Sequence, residues 1–171
     1  EDFIEQVVVA GDPIPTPGGA TTVFQYINLS GVEISGFEAR VDSRWESGLG
    51  LTLAFATAEG DQTTNGVTIP LATIDPWKVV GGLRFDDPNG VFGGQAIVTY
   101  AAEKDAGDIN AGALCVSACF LTNDFTILDL TAYWNVTDNA TLRAGIFNVF
   151  DEDYIWWSDV RGLPLSSTNV S

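Results

Sequence analysis

The sequence predicts an all-β chain, an antiparallel transmembrane β-barrel of which about seven strands are present. Three observations predict it. Apolar residues recur with a period of two, connections alternate strictly between very short and long, and one extended stretch outruns anything a soluble sandwich needs. Helical signals are scarce, because Gly (18 residues), Val, Thr, Phe and Trp recur throughout the 171 positions. Strands are expected near 3–10, 22–45, 49–58, 77–86, 91–103, 125–136 and 141–150.

Each strand shows its own alternation. The stretch 22–45 sets Glu38, Arg40, Asp42 and Arg44 against Phe37, Ala39, Val41 and Trp45, with a parity slip near Gly36. That slip predicts a β-bulge, since glycine tolerates the conformations a bulge needs. At about 3.3 Å per residue the stretch would be roughly 80 Å long. In 49–57 the odd positions Leu49, Leu51, Leu53 and Phe55 are bulky, while Gly50, Thr52, Ala54 and Ala56 are small. Trp77, Val79, Leu83 and Phe85 oppose Lys78, Val80, Gly82, Arg84 and Asp86. The next strand sets Phe92, Ala96, Val98 and Tyr100 against Gln95, Ile97 and Thr99. Leu128, Leu130, Ala132, Trp134 and Val136 then oppose Asp129, Thr131, Tyr133 and Asn135. Leu142, Ala144, Ile146 and Phe150 close the series against Thr141, Arg143 and Gly145.

The short connections are Glu46-Ser47-Gly48, Asp86-Asp87-Pro88-Asn89-Gly90 and Thr137-Asp138-Asn139, rich in residues that tight hairpins use. Long ones fall at 11–21, 59–75 and 104–124, and another begins near Asp151. Short turns at one end and long loops at the other are the pattern of an outer-membrane barrel.

Composition narrows the function. Seven Lys and Arg against 23 Asp and Glu give a formal net charge of −16, which repels phosphate backbones and makes nucleic acid a poor partner. The sequence contains no His, so His-based triads, His-ligated zinc and imidazole ligation of haem cannot come from it. No nucleophile, base and orienter stand at motif spacing, so an enzyme is not expected. Cys115 and Cys119 match neither a redox CxxC nor a four-ligand zinc site, and a small local disulfide is expected, alongside the alternative of two unpaired thiols. No metal site is expected either: Asp151, Glu152 and Asp153 lack the alternation and glycine of an EF-hand.

Three segments resemble the C-terminal part of TonB-dependent outer-membrane receptors, in their haem and haemoglobin branch. YINLSGVEISGFEARVDSRW (26–45) is similar to the family's strand with an Asn, a short polar run, then Gly and Glu. IPLATIDPWKVVGGLRFDDPNG (69–90) is similar to the haem branch's version of the next hairpin. LRAGIFNVFDEDYIWWSDVRGL (142–163) resembles the family's penultimate strand, with its Asn-x-Phe-Asp-x-x-Tyr signature, and its trailing Trp-Ser-Asp-Val-Arg-Gly looks like haem receptors.

The resemblance implies a 22-stranded barrel of which these strands are the fifteenth to the twenty-first. Residues 1–171 are then one C-terminal barrel portion, with the plug domain and the final strand absent. It implies TonB-dependent uptake of haem or iron across the Gram-negative outer membrane, without covalent chemistry. The implied partners are outer-membrane lipid, the receptor's own plug, the TonB complex reached through the N-terminal region, and haem or a haem-carrying protein. No cofactor is bound by this segment; haem is the transported ligand of the complete receptor. Haem ligation in the branch is attributed to His residues on the plug and an earlier loop.

Glu38, Arg40, Asp42, Arg44, Lys78, Arg84, Asp129 and Arg143 are expected on the polar lumen face. Tyr154, Trp156 and Trp157 are candidates to stack on a porphyrin, against the plainer reading of an interfacial aromatic girdle. A siderophore or cobalamin receptor, a small eight-stranded structural barrel and a soluble all-β binding module remain as alternatives. Closing an eight-stranded barrel would need a further strand of roughly 9–11 residues, which 163–171 scarcely provides.

Overall fold

The computed structural model describes residues 3–8, 14–16, 19–21, 24–29, 31–64, 66–110, 114–115 and 118–165. Its strands are β1 (Phe3–Val8), β2 (Ile14–Thr16), β3 (Gly19–Thr21), β4 (Phe24–Leu29), β5 (Val32–Arg44), β6 (Leu49–Thr64), β7 (Val67–Pro70), β8 (Lys78–Asp86), β9 (Phe92–Ala101), β10 (Phe125–Thr137) and β11 (Ala140–Ile146). Among the described residues helix is scarce: a 3-10 turn at Ala106–Asp108, a single helical position at Leu114 and one short helix, α1 (Trp157–Val160). The main sheet has seven strands in the order β11-β10-β9-β8-β6-β5, with β7 pairing only β6. All pairings are antiparallel, and the sheet is open. β1 pairs with β4, and β2 with β3, as separate ladders.

Four strand expectations need correction. The single long strand over 22–45 is two, β4 and β5, with different partners. The loop at 11–21 contains the β2–β3 hairpin. The strand at 49–58 runs on to Thr64, because β7 folds back on it as a hairpin. The last strand stops at Ile146 rather than 150, where Asn148 takes up a positive φ of 50°.

The bulge expected near Gly36 is also absent: β5 and β6 stay in one register from Val32 opposite Gln62 to Arg44 opposite Gly50. Gly36 answers a close approach instead, since a Cβ there would lie 2.6 Å from the Thr57 carbonyl. The parity slip has a different cause. Beyond this rung the face that carries Phe37 and Val41 lower down carries Glu33, Ser35, Glu59 and Asp61, so the surroundings change while the backbone runs straight on. The register shift that does occur lies between Asn135 and Thr137, beside the β10–β11 turn.

The three short turns gather at one end. Asp86 donates its amide to the Gly48 carbonyl (2.9 Å), and Asn135 its amide to that of Val91 (2.8 Å). Gly48 has φ of +87°, and any Cβ there would strike the Asp86 carbonyl, so this turn requires glycine.

The sheet is a single layer with a bare apolar face. Leu83 is 55% exposed and Leu142 64%, and Phe37, Val41, Leu53, Val98, Leu130, Trp134 and Ile146 share that face. Soluble sheets cover such a face with a second layer. Among the described residues nothing covers it; the buried side chains cluster instead at the long-loop end, around Ala72, Ile109, Cys115, Cys119, Trp157 and Val160, and around Ala101, Phe125 and Ile127. Two aromatic bands bound the bare face. One runs Phe37, Phe55, Trp77, Tyr100 with ring centroids 6.3, 6.1 and 5.1 Å apart; the other holds Phe85 and Phe92 at 5.8 Å, with Trp45 and Trp134. Trp77 to Phe85 spans about 26 Å of strand, or about 20 Å of height at a barrel tilt near 40°. That approaches the apolar band of a membrane barrel, about 25 Å tall.

Candidate functional site

Strand pairing decides which side chains share the opposite face. Following the ladders rung by rung, even positions of β5, β6 and β8 align with odd positions of β9, β10 and β11. Glu38, Arg40, Asp42 and Arg44 of β5, Lys78 and Arg84 of β8, Asp129 of β10 and Arg143 of β11 all fall on this one face. Hydrogen bonds tie parts of it together. The Arg40 guanidinium donates to Asp42 at 2.6 and 3.1 Å, and Asp42 also accepts from the Thr52 hydroxyl at 2.8 Å. Arg84 pairs with Asp86, which accepts the Tyr133 hydroxyl at 2.9 Å. Asp129 accepts the Asn148 amide at 2.8 Å.

Between the Asp86 and Arg84 rungs lies a cleft of about 640 Å³, lined among others by Gln95, Thr131, Tyr133, Asn135 and Arg143. Gly93 creates part of the space: it stands opposite Tyr133, whose ring a Cβ would meet at 2.5 Å. The guanidinium of Arg143 lies 5.9 Å from the centroid of the same ring, within cation–π range.

Above the charged rungs the face is covered. After β11 the chain turns at Asn148, whose side chain accepts the Glu152 amide (3.0 Å) and donates to the Glu152 carbonyl (2.9 Å). It then packs on the top of the wall. Tyr154 and Trp156 lie 4.9 and 4.8 Å from the ring of Phe125, a residue on the same face as Asp129. Trp157 is 2% exposed; its indole donates to the Ala72 carbonyl at 2.7 Å, and Lys104 Nζ stands 5.5 Å from its ring centroid. Of the three aromatic candidates, Tyr154 and Trp156 keep accessible ring surface and Trp157 is sealed.

Three long loops meet here as one body. Cys115 and Cys119 form a disulfide, as the sequence led us to expect. Beside it Phe120 donates its amide to the Leu163 carbonyl (2.9 Å) and Leu165 to Ala118 (2.8 Å), with Cys119 bridged to Pro164. Lys104 joins the third loop: its ammonium, buried at 4% exposure, donates to the Ile74 carbonyl at 2.9 Å and lies 3.9 Å from Asp108. Burial pushes its pKa below the ordinary lysine value, an effect that Asp108, Asp75 and Asp105 partly offset. Sequence reasoning passed over Lys104, Tyr133 and Asn148. The available signal for Lys104 was a lone cation within an acidic loop; the partner of Tyr133 lies on another strand, and Asn148 joins the nearby Glu152 through its side chain and Asp129 of β10 through its amide.

Residues 1–149 match the family of TonB dependent receptor-like β-barrels. Hemoglobin-binding protein A of Haemophilus influenzae is 30% identical over 152 residues, covering 82% of this chain and 15% of that protein. The hemoglobin and hemoglobin-haptoglobin-binding protein of Haemophilus ducreyi is 24% identical over 198 residues, covering 99% of this chain and 20% of that protein. The copper transporter OprC shares the fold, with a TM-score of 0.65 at 22% identity over 92% of this chain and 22% of that one. The chain thus spans a fifth or less of the length of the two haemoglobin-binding relatives. The chain belongs to the TonB-dependent receptor β-barrels of the Gram-negative outer membrane, a family of receptors and transporters rather than enzymes.

Proposed function

We propose that this chain is part of the wall of an outer-membrane receptor that takes up haem iron in a TonB-dependent way. The observation that carries the reading is a charged face lying beneath a body of interlocked long loops, on a sheet whose other face is apolar. The haemoglobin-binding names of its relatives support the ligand class. In this reading residues 1–171 are a C-terminal portion of a 22-stranded barrel, and the plug and the TonB-contacting segment belong to other parts of the receptor. No bond is made or broken. The loops capture the ligand, and work delivered through TonB displaces the plug to open a passage.

Haem is cargo here, not a resident cofactor. Since the chain has no His, it supplies no imidazole to the iron. What it offers a porphyrin is the accessible ring surface of Tyr154 and Trp156, beside which a planar macrocycle can stack. The test is to titrate the complete receptor with haem and follow the absorption spectrum. A shifted and saturable haem band is expected. An unchanged spectrum alongside tight binding of a ferric siderophore or a cobalamin would overturn the haem assignment.

A further inference from the structure

The disulfide lies where two loops clasp. Cys115 and Cys119 are bridged over a sequence separation of only four, and the chain of 162–165 runs across both ends of that small ring. At one end a Cβ on Gly162 would stand 3.9 Å from the Leu114 carbonyl oxygen. At the other the Phe120 amide donates to the Leu163 carbonyl at 2.9 Å, the Leu165 amide donates to that of Ala118 at 2.8 Å, and Cys119 is bridged to Pro164. The two seats therefore keep their spacing only while the ring is closed. Closing so short a ring removes little entropy from the unfolded chain, so global stability is not what the bridge chiefly supplies. The pair is also shielded: Cys115 is 6% exposed and Cys119 8%, clustered with Ala72, Ile109, Trp157 and Val160.

We propose that this disulfide is a redox-sensitive lock on the strap formed by residues 152–165: oxidised, it holds the strap across the top of the charged face, and reduced, it lets the strap lift with Tyr154 and Trp156, uncovering Phe125 and the rungs below. The co-reactant is an external dithiol. Its thiolate attacks one cysteine sulfur and the S–S bond breaks, leaving a mixed disulfide; its second thiolate then displaces the remaining cysteine sulfur. The two cysteines gain two electrons and two protons, and the dithiol is oxidised to its own disulfide. Attack needs a sulfur within reach, so reduction proceeds from an opened loop body and not from the closed one. Once reduced, the body has lost the spacing that closes it, and it stays open until the pair is re-oxidised. The ladders from β5 to β11 include neither cysteine nor any residue of the strap, so the wall keeps its pairing in both states. The lock does not depend on which ligand the receptor carries.

The test follows amide hydrogen exchange in the complete receptor in outer membranes, with and without dithiothreitol, at Phe120 and Leu165, with Leu83 and Val98 of the wall as reference. Alkylation of Cys115 and Cys119, read as a mass shift, establishes that the bridge has been reduced. Exchange at Phe120 and Leu165 should rise by at least about tenfold on reduction and return on re-oxidation. The receptor carrying Cys115→Ser with Cys119→Ser should show the same rise with no reductant present. Leu83 and Val98 should not change. Leu165→Pro removes the amide that bonds Ala118 and should speed alkylation under dithiothreitol several-fold, because the body then opens more often. Unchanged exchange at Phe120 and Leu165 in a receptor shown to be reduced would overturn the proposal, as would an equal rise at Leu83 and Val98, which would make the bridge a stabiliser of the whole barrel. Alkylation as fast in the wild type as in Leu165→Pro would overturn the guarded order of events.

Discussion

At the scale of single residues, the Asn in the Asn-x-Phe-Asp signature has a physical role that residue type alone does not disclose. Asn148 sits at φ 50°, a region that costs most side chains but that Asn tolerates, and its amide group closes a turn on Glu152 from both sides. Its backbone amide is held by Asp129 on the neighbouring strand. Asn148→Ala removes two hydrogen bonds and strains the backbone, and should cost about 2–3 kcal/mol; Asn148→Gly keeps the conformation and should cost about 1–2 kcal/mol. Denaturant unfolding of the complete receptor in detergent would rank them. Equal losses would mean that backbone conformation contributes nothing. The face assignment of Arg143 or Asp129 was readable from alternation, because a strand sends every second side chain the same way. The turn at Asn148 was not, because Asp129 lies nineteen positions away and only the fold brings it there.

At the scale of elements, the long loop at 104–124 was legible as a loop and the cysteine pair as a local bridge, whereas 11–21 and 59–75 hold strands, and the association of the loops was not legible. It depends on contacts such as Trp157 with the Ala72 carbonyl, 85 positions apart in the chain. The short turns could be read because a hairpin is local: Gly48 and Gly90 take positive φ where tight turns need it. β7 went unforeseen although its pairing is as local, Thr64 opposite Val67 across Asn65-Gly66, because that turn signal fell inside a stretch read as one long loop. Lys104 supplies the test of the loop body. Its folded pKa lies below the usual lysine value near 10.4, so between those two pH values the closed body binds fewer protons than the opened one. Stability of the body must then rise with pH across that window and level off above it. Hydrogen exchange of the amides at Phe120, Leu163 and Leu165, corrected for intrinsic rates, should show protection increasing with pH. Lys104→Met should flatten the dependence while lowering protection throughout, because the Ile74 carbonyl loses its donor. A wild-type receptor whose protection falls with rising pH would show that this lysine is not held against its charge.

At the scale of the whole molecule, the two faces of one open layer meet different surroundings, and neighbouring rungs offer a matched comparison. Leu83 and Ile97 sit on adjacent, paired strands, Leu83 opposite Ala96 and Ile97 opposite Gly82, yet they project to opposite faces. Apolarity alone treats them alike. The ladder separates them: Leu83 lies in the bare band between the aromatic rows, at 55% exposure, whereas Ile97 shares a rung with Asp129, and that rung continues through Gly82 and Thr52 to Asp42. A cation in the middle of the hydrocarbon costs about 2–4 kcal/mol in a barrel, while the lumen of such a barrel is wet, and position 97 has the Asp129 carboxylate directly across the ladder. Leu83→Arg should therefore lose about that much when the complete receptor is refolded into lipid vesicles, and Ile97→Arg should lose less than about 1 kcal/mol. Equal penalties, or a larger one at Ile97, would invert the face assignment, and with it the placing of Arg44, Arg84 and Arg143 in the lumen. The comparison does not depend on ligand or plug, since both substitutions are read in the same barrel and only the side of the wall differs.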